Sequence, residues 1–155
     1  MTDHSSAEIS ARRRVMGLLA RGAAHELAEA LRRNWPRHGA RDLKPVETGL
    51  VMLRGRAGGD GAPFNLGEAT VTRAVVELPG GERGYSHVLG RDAERARCAA
   101  ILDALWLRRE SRSEVEEKVL IPIAERLQAD KAKADAETAA TRVDFFTLVR
   151  GEDDA

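Results

Sequence analysis

Cysteine is almost missing from this chain. Its 155 residues include one, Cys98, so no disulfide can close within it and no cysteine-built zinc or iron–sulfur site can be assembled from it alone. A single thiol fits a reducing compartment, and the expectation is a cytoplasmic protein. Aromatic residues are scarce at 4%, so the core must rest on Leu, Val, Ile and Ala. No apolar run reaches the roughly 18 residues of a membrane-spanning helix, and the polar start has no apolar signal core. Net charge is lacking too. Lys and Arg number 25 and Asp and Glu 25, so no whole-protein basic field draws nucleic acid. His4, His25, His38 and His87 show no metal-ligand spacing, and no structural metal is expected.

What is present is charge without a net sign. Charged residues make up 32% and hydrophobic residues 43% of the chain. A small aliphatic core under so charged a surface points to burial against a partner. Arg12, Arg13, Arg14, Arg21, Arg32, Arg33, Arg37 and Arg41 crowd the first 41 residues against Asp3, Glu8, Glu26 and Glu29. The length suits one domain with a real core, expected over 11–151 between a disordered 1–10 and an acidic tail at 152–155.

The pattern along the chain predicts an α+β domain: an N-terminal helix pair, a small antiparallel sheet of three to five short strands, C-terminal helices and an extended C-terminal segment. Ser5-Ser-Ala-Glu8 reads as a capping box for the first helix, which Arg21-Gly22 ends. A second helix spans about Ala23 to Asn34 with Leu27 and Leu31 inward, and Trp35-Pro36 breaks it. Leu50–Leu53 is a short strand, Ala57–Pro63 a loop and Phe64–Leu66 a brief strand. Thr70–Leu78 alternates, with Val71, Val75 and Glu77 on one face and Ala74, Val76 and Leu78 on the other. Pro79–Glu82 turns the chain into Arg83–Leu89, which makes a hairpin. Arg91–Leu107 returns to helical spacing. Ser113-Glu-Val-Glu116 reads as another capping box, Pro122 as a first turn or a kink, and Glu125 to about Thr141 as a charged, Ala-rich helix.

Each motif has a chemical and a plain reading. Gly58-Gly-Asp-Gly61 could cradle a phosphate with bare N–H groups, but it lacks the Lys-Ser/Thr ending and the helix of a P-loop; a turn needing positive φ is the better reading. The two N-terminal helices resemble a helix-turn-helix only faintly, because the second presents Glu26 and Glu29, which repel phosphate. Ser86 and His87 are adjacent on a strand and point to opposite faces, so they make a poor nucleophile–base pair. Cys98 sits on the apolar stripe of its helix. Asp92, after Gly90-Arg91, should cap the helix that follows, leaving Arg91 for an anion or an acidic partner.

Read together, certain blocks resemble the PhnG family: Glu47-Thr-Gly-Leu50, the stretch from Gly58 to Arg73, the pair Gly84-Tyr85, Gly90-Arg-Asp92, and Arg142-Val-Asp-Phe-Phe-Thr-Leu-Val-Arg-Gly151. The likeness runs from about Arg12 to Gly151. It implies a subunit of the bacterial carbon–phosphorus lyase machinery, working with PhnI-like, PhnH-like and PhnJ-like subunits and a PhnL-like accessory protein. Such an assembly attacks the ribose of ATP with methylphosphonate and releases adenine. ATP is then a substrate of the complex, no cofactor is expected in this chain, and no catalytic residue is assigned to it. Candidate anion or partner contacts are Arg73, Arg91, Arg142 and Arg150. Candidate interface residues are Glu47, Asp92, Asp144, Phe145 and Phe146. Residues 142–150 alternate with apolar side chains on both sides, which predicts an extended docking segment; the plain reading is one more strand of its own sheet. Without the family likeness, a free-standing small-molecule enzyme built on Ser86, His87 and the glycine loop, or a nucleic-acid-binding regulator built on the helix pair, would be the rival readings.

Overall fold

The structure is a computed structural model and describes residues 3–140. The chain divides into two compact units, Met1–Ala124 and Glu125–Ala155. In the first, α1 (Asp3–Leu19) and α2 (Ala24–Asn34) precede four strands, β1 (Arg41–Asp42), β2 (Glu47–Arg56), β3 (Pro63–Glu77) and β4 (Arg83–Leu89). Helices α3 (Ala93–Leu107) and α4 (Arg109–Val115) follow, then a π-helical turn, Glu116–Leu120, that runs into α5 (Ile121–Ala140). The α+β order matches the pattern in the sequence, with three differences.

Helix α1 begins at Asp3 rather than at a Ser5 cap, so residues 3–10, expected to be disordered, are helical from Asp3; nothing in Ser-Ser-Ala-Glu-Ile breaks a helix once it has started. Phe64–Leu66 and Thr70–Leu78 are not two short strands but one strand of 15 residues. Gly67, with φ +151, carries the chain through the irregular point; Leu53 pairs with Gly67 and Arg54 with Asn65, so Leu66 is the extra, bulged residue on β3 itself,. Ser113 does not cap a helix, because α4 has already begun at Arg109; the discontinuity falls instead at the π turn just before Pro122, where a widened ladder tolerates the missing N–H.

β3 is the spine of the sheet. Along one edge it pairs antiparallel with β2, Glu47 opposite Arg73, and then with β1, Arg41 opposite Glu77. Along the other it pairs with β4, Ala74 opposite Ser86. β4 stops at Leu89 opposite Val71, so the stretch of β3 before Val71 pairs with β2 alone and forms a two-stranded arm. α3 is buried nearly all round, from Ala96 through Trp106 with Arg97 half-buried, as befits a helix packed on every side. Ala96, Ala100 and Ala104 recur every four residues and form the face toward β4: Ser86 Oγ donates to the Ala96 carbonyl (2.6 Å), and Gly84 lies against Ala100 and Ala104. Leu27 and Leu31 of α2 and Val15, Leu18 and Leu19 of α1 complete the core.

In the second unit, the described part of α5 is polar and exposed from residue 128 to 140. Pairs four residues apart, Arg126 with Asp130 (3.2 Å) and Lys131 with Asp135 (3.1 Å), support it as a solvated helix,.

Candidate functional site

The two faces of the sheet differ in cover. Gly84, Ser86 and Val88 of β4 are buried under α3, and with them in register lie Val76, Ala74 and Thr72. Arg83, Tyr85, His87 and Leu89 point the other way, in register with Glu77, Val75, Arg73 and Val71 of β3. On β2 the same outer face carries Glu47, Gly49, Val51 and Leu53. Among the described residues no helix lies over this outer face; α1 reaches only its β4 margin, where Ile9, Arg12, Arg13, Met16 and Tyr85 line a shallow, mostly apolar pocket of about 470 Å³. A solvated sheet face is normally polar. This one holds Val51, Leu53, Val71, Val75, Tyr85 and Leu89. Leu89 is 67% exposed and Leu53 42%.

Arg73 lies in the middle of that face, between Glu47 on β2 and His87 on β4. Its guanidinium rests over Gly49: a methyl group there would come 3.1 Å from Arg73 Nη2. Its Nε is buried and has no hydrogen-bond partner. No ion pair to Arg73 occurs among the described residues, since the Glu47 carboxylate is drawn to Lys44 (3.4 Å). The other carboxylate of the face, Glu77, is held by Arg41 (2.5 Å) and Arg83 (2.8 Å). The hydrogen bonds from those two arginines keep it below the usual carboxylate range.

Asp92 does cap α3, accepting from the Arg95 N–H at 2.9 Å. Gly90, with φ +92, turns the chain out of β4 while its N–H bonds the Thr70 carbonyl (2.9 Å) and its own carbonyl accepts from Thr72 Oγ1 (2.7 Å). Arg91 is exposed and makes no ion pair among the described residues. Of the candidates, the register therefore brings together Glu47 and Arg73, and leaves Arg91 and Asp92 at the strand-to-helix junction. Arg142, Asp144, Phe145, Phe146 and Arg150, with the expected docking segment 142–150, lie outside the described residues.

The catalytic alternatives find no geometry here. Ser86 is buried and spent on a backbone carbonyl, on the face opposite His87. Burial pushes the Cys98 thiol up, away from thiolate,. The glycines after β2 form a hairpin turn, with Gly58 and Gly59 at φ +61 and +86 and Gly61 N–H bonded to the Ala57 carbonyl; no helix follows. No group of three metal-ligating side chains occurs among the described residues. Glu29 of α2 pairs with Arg33 and Arg32, leaving no basic reading helix.

Two polar clusters escaped sequence reasoning. Arg12 of α1 donates from Nη2 (2.7 Å) and Nε (3.3 Å) to fully buried Asp103, which also accepts from the Tyr85 N–H (2.9 Å). Hydrogen bonding to Asp103 raises the Arg12 pKa against the opposing effect of burial. The one available signal was a lone Asp within the apolar run Cys98–Leu107. The second cluster is Glu116, which accepts from Trp106 Nε1 (2.7 Å) and Arg14 Nη2 (2.6 Å). Burial pushes its pKa up, but the hydrogen bonds from Arg14 and Trp106 outweigh this, and it lies below the ordinary value. A carboxylate depressed in the fold stabilises above its unfolded value, about 4.3, and the benefit fades as pH falls through the folded value. Glu116→Gln should therefore lower the melting temperature at neutral pH, with the gap to wild type closing below about pH 4. A gap that does not change with pH would show that Glu116 acts by shape alone.

The family model described as phosphonate metabolism protein PhnG matches residues 10–151. A curated relative, the alpha-D-ribose 1-methylphosphonate 5-triphosphate synthase subunit PhnG of Rhizobium meliloti (strain 1021), is 50% identical over 147 residues, covering 95% of this chain and 94% of the relative.

Proposed function

The chain belongs to the PhnG family of phosphonate metabolism proteins, and from that we propose that it is an assisting, non-catalytic subunit of a carbon–phosphorus lyase core complex in the cytoplasm. The complex it supports forms α-D-ribose 1-methylphosphonate 5-triphosphate from ATP and methylphosphonate. A phosphonate oxygen attacks the ribose carbon that carries adenine, the bond to adenine breaks, and the triphosphate stays in place. The proposed partners are PhnI-like, PhnH-like and PhnJ-like subunits, with a PhnL-like accessory protein; ATP is the substrate of the assembly, and this chain brings no cofactor of its own.

The observation that carries this reading is an otherwise well-packed domain whose outer sheet face carries a row of apolar side chains with no helix over it among the described residues. A catalyst of this size would keep its polar groups together in a pocket. Here Arg12 with Asp103 and Glu116 with Trp106 are structural, and the outer face carries aliphatic side chains together with Arg73, which makes no ion pair among the described residues. No transmembrane-length apolar helix occurs among the described residues.

The test is adenine release from ATP plus methylphosphonate, followed by chromatography. The isolated chain should release none above background, the assembly reconstituted with this chain should release adenine, and the assembly lacking it should not. Turnover by the isolated chain that survives further purification would overturn the assignment.

A further inference from the structure

We propose that the outer face of the sheet is the docking surface for a different protein subunit, and that this partner places a carboxylate on Arg73. The inference rests on the reading of the chain as a subunit and adds to it the site and the chemistry of contact.

Arg73 is the reason the occupant must be acidic. A guanidinium always carries its charge, and a buried donor left without an acceptor is costly. The Arg73 Nε is in that condition, with Nη2 of the same guanidinium close over Gly49 of β2, which has no side chain. Glu47 and His87 flank it across the strands, and along β3 the face turns apolar, with Val71 and Val75 before and after it on alternate positions and exposed Leu89 opposite Val71. An arginine with aliphatic neighbours before and after it on its own strand matches the centre of a protein interface. A bidentate carboxylate fits its planar fork.

Charge complementarity also decides against a second copy of this chain. The face has two carboxylates of its own, and both are engaged, Glu47 with Lys44 and Glu77 with Arg41 and Arg83. Two copies packed face to face would bring Arg73 to a surface with no spare acid among the described residues. The arm formed by β2 and β3 beyond the end of β4 extends the same surface. A two-stranded ribbon is marginal alone, and this one shows Leu53, Phe64 (46% exposed) and Leu66 (64%).

The experiment titrates the full chain against the purified remaining subunits of the synthase, by calorimetry, for wild type, Arg73→Met, Arg73→Lys, Gly49→Ala and Leu89→Lys. Arg73→Met keeps an apolar stem and should raise Kd about 30-fold or more, the loss expected when one member of a desolvated charge pair is truncated. Arg73→Lys should recover only part of the affinity, because an ammonium cannot make the bidentate contact. Gly49→Ala displaces the guanidinium without removing it and should weaken binding about 5-fold. Leu89→Lys, at an exposed position, should weaken it similarly, with the isolated chain melting as wild type does. If Arg73→Met proves unfolded by its melting curve, the Gly49 and Leu89 variants decide, and unchanged affinity in both overturns the proposal. Wild-type affinity in folded Arg73→Met overturns it directly. Self-association of the isolated wild-type chain that Arg73→Met abolishes would assign the face to a second copy and overturn it. Absence of any binding by wild type would overturn the subunit reading itself.

Discussion

Gly84→Ala is expected to leave little folded protein. An added methyl group at Gly84 would stand 1.9 Å from the Ala100 carbonyl oxygen, 2.7 Å from the Ala104 nitrogen and 2.9 Å from Ala104 Cβ. Two of these three atoms are helix backbone and cannot rotate aside. Relief requires α3 to lift from β4, and α3 carries Ile101, Leu102, Leu105 and Trp106, each no more than 1% exposed. Overpacking a good core costs about 1–3 kcal/mol even when side chains can adjust. A clash against backbone belongs at or above the top of that range, and total stability is only about 5–15 kcal/mol. A loss near 3 kcal/mol lowers the melting temperature by about 10 °C in a domain of this size. Gly17→Ala is the control. Nothing lies within 4 Å of the new methyl group there, the site is an exposed helix interior, and stability should rise by about 0.5–1 kcal/mol. Equal melting temperatures for Gly84→Ala and wild type would show that α3 does not sit on β4 as described.

Asp103→Ala should be the most damaging loss of a polar group, at about 3 kcal/mol. It leaves two Arg12 donors and the Tyr85 N–H without their acceptor. The figure sits at the low end for a broken buried pair because the Arg12 side chain is 29% exposed and water can take up part of its charge. The pair also closes the free edge of β4, since Arg12 Nη2 bonds the Arg83 carbonyl (3.0 Å) while Asp103 holds the Tyr85 N–H. Edge strands left open are templates for further pairing, so the variant should aggregate on heating as well as melt earlier. Denaturant unfolding of Asp103→Ala, Arg12→Ala and the double variant measures the coupling. The double variant should lose less than the sum of the singles, because removing both charges strands neither. Strict additivity would separate the two residues.

Much of this fold was legible in local chemistry. Arg21-Gly22 and Trp35-Pro36 end helices because glycine and proline leave the helical ladder there, and Asp92 caps α3 because its carboxylate can reach an orphan N–H,. The split of Val71, Val75 and Glu77 from Ala74, Val76 and Leu78 follows from two-residue alternation and is the split observed. The unbroken course of β3 was not legible, because a glycine at Gly67 reads locally as an interruption, whereas a bulge at the adjoining Leu66 lets β3 stay paired with β2 on both sides of it,. Nor was the Arg12–Asp103 pair, whose members are 91 residues apart. At the candidate site, Glu47 and Arg73 could be singled out by type, but their opposition across two strands depends on a register that turn and bulge set together.

By itself the sequence determined the family, the order of helices and strands, which β3 residues share a face, and the impossibility of an internal disulfide with one cysteine. Those properties depend on neighbours a few residues apart or on composition. Only the tertiary structure decided which face of the sheet α3 covers. Alternation makes both faces of β3 look fit for burial, since each carries valines. The Ala96–Ala100–Ala104 side of α3 closes onto the face where Gly84 has no side chain, and the opposite face, with Arg73 over Gly49, has no helix on it among the described residues. Close approach of a helix to a strand selects between two apolar faces by steric fit, and steric fit is a property of surfaces brought together from distant parts of the chain.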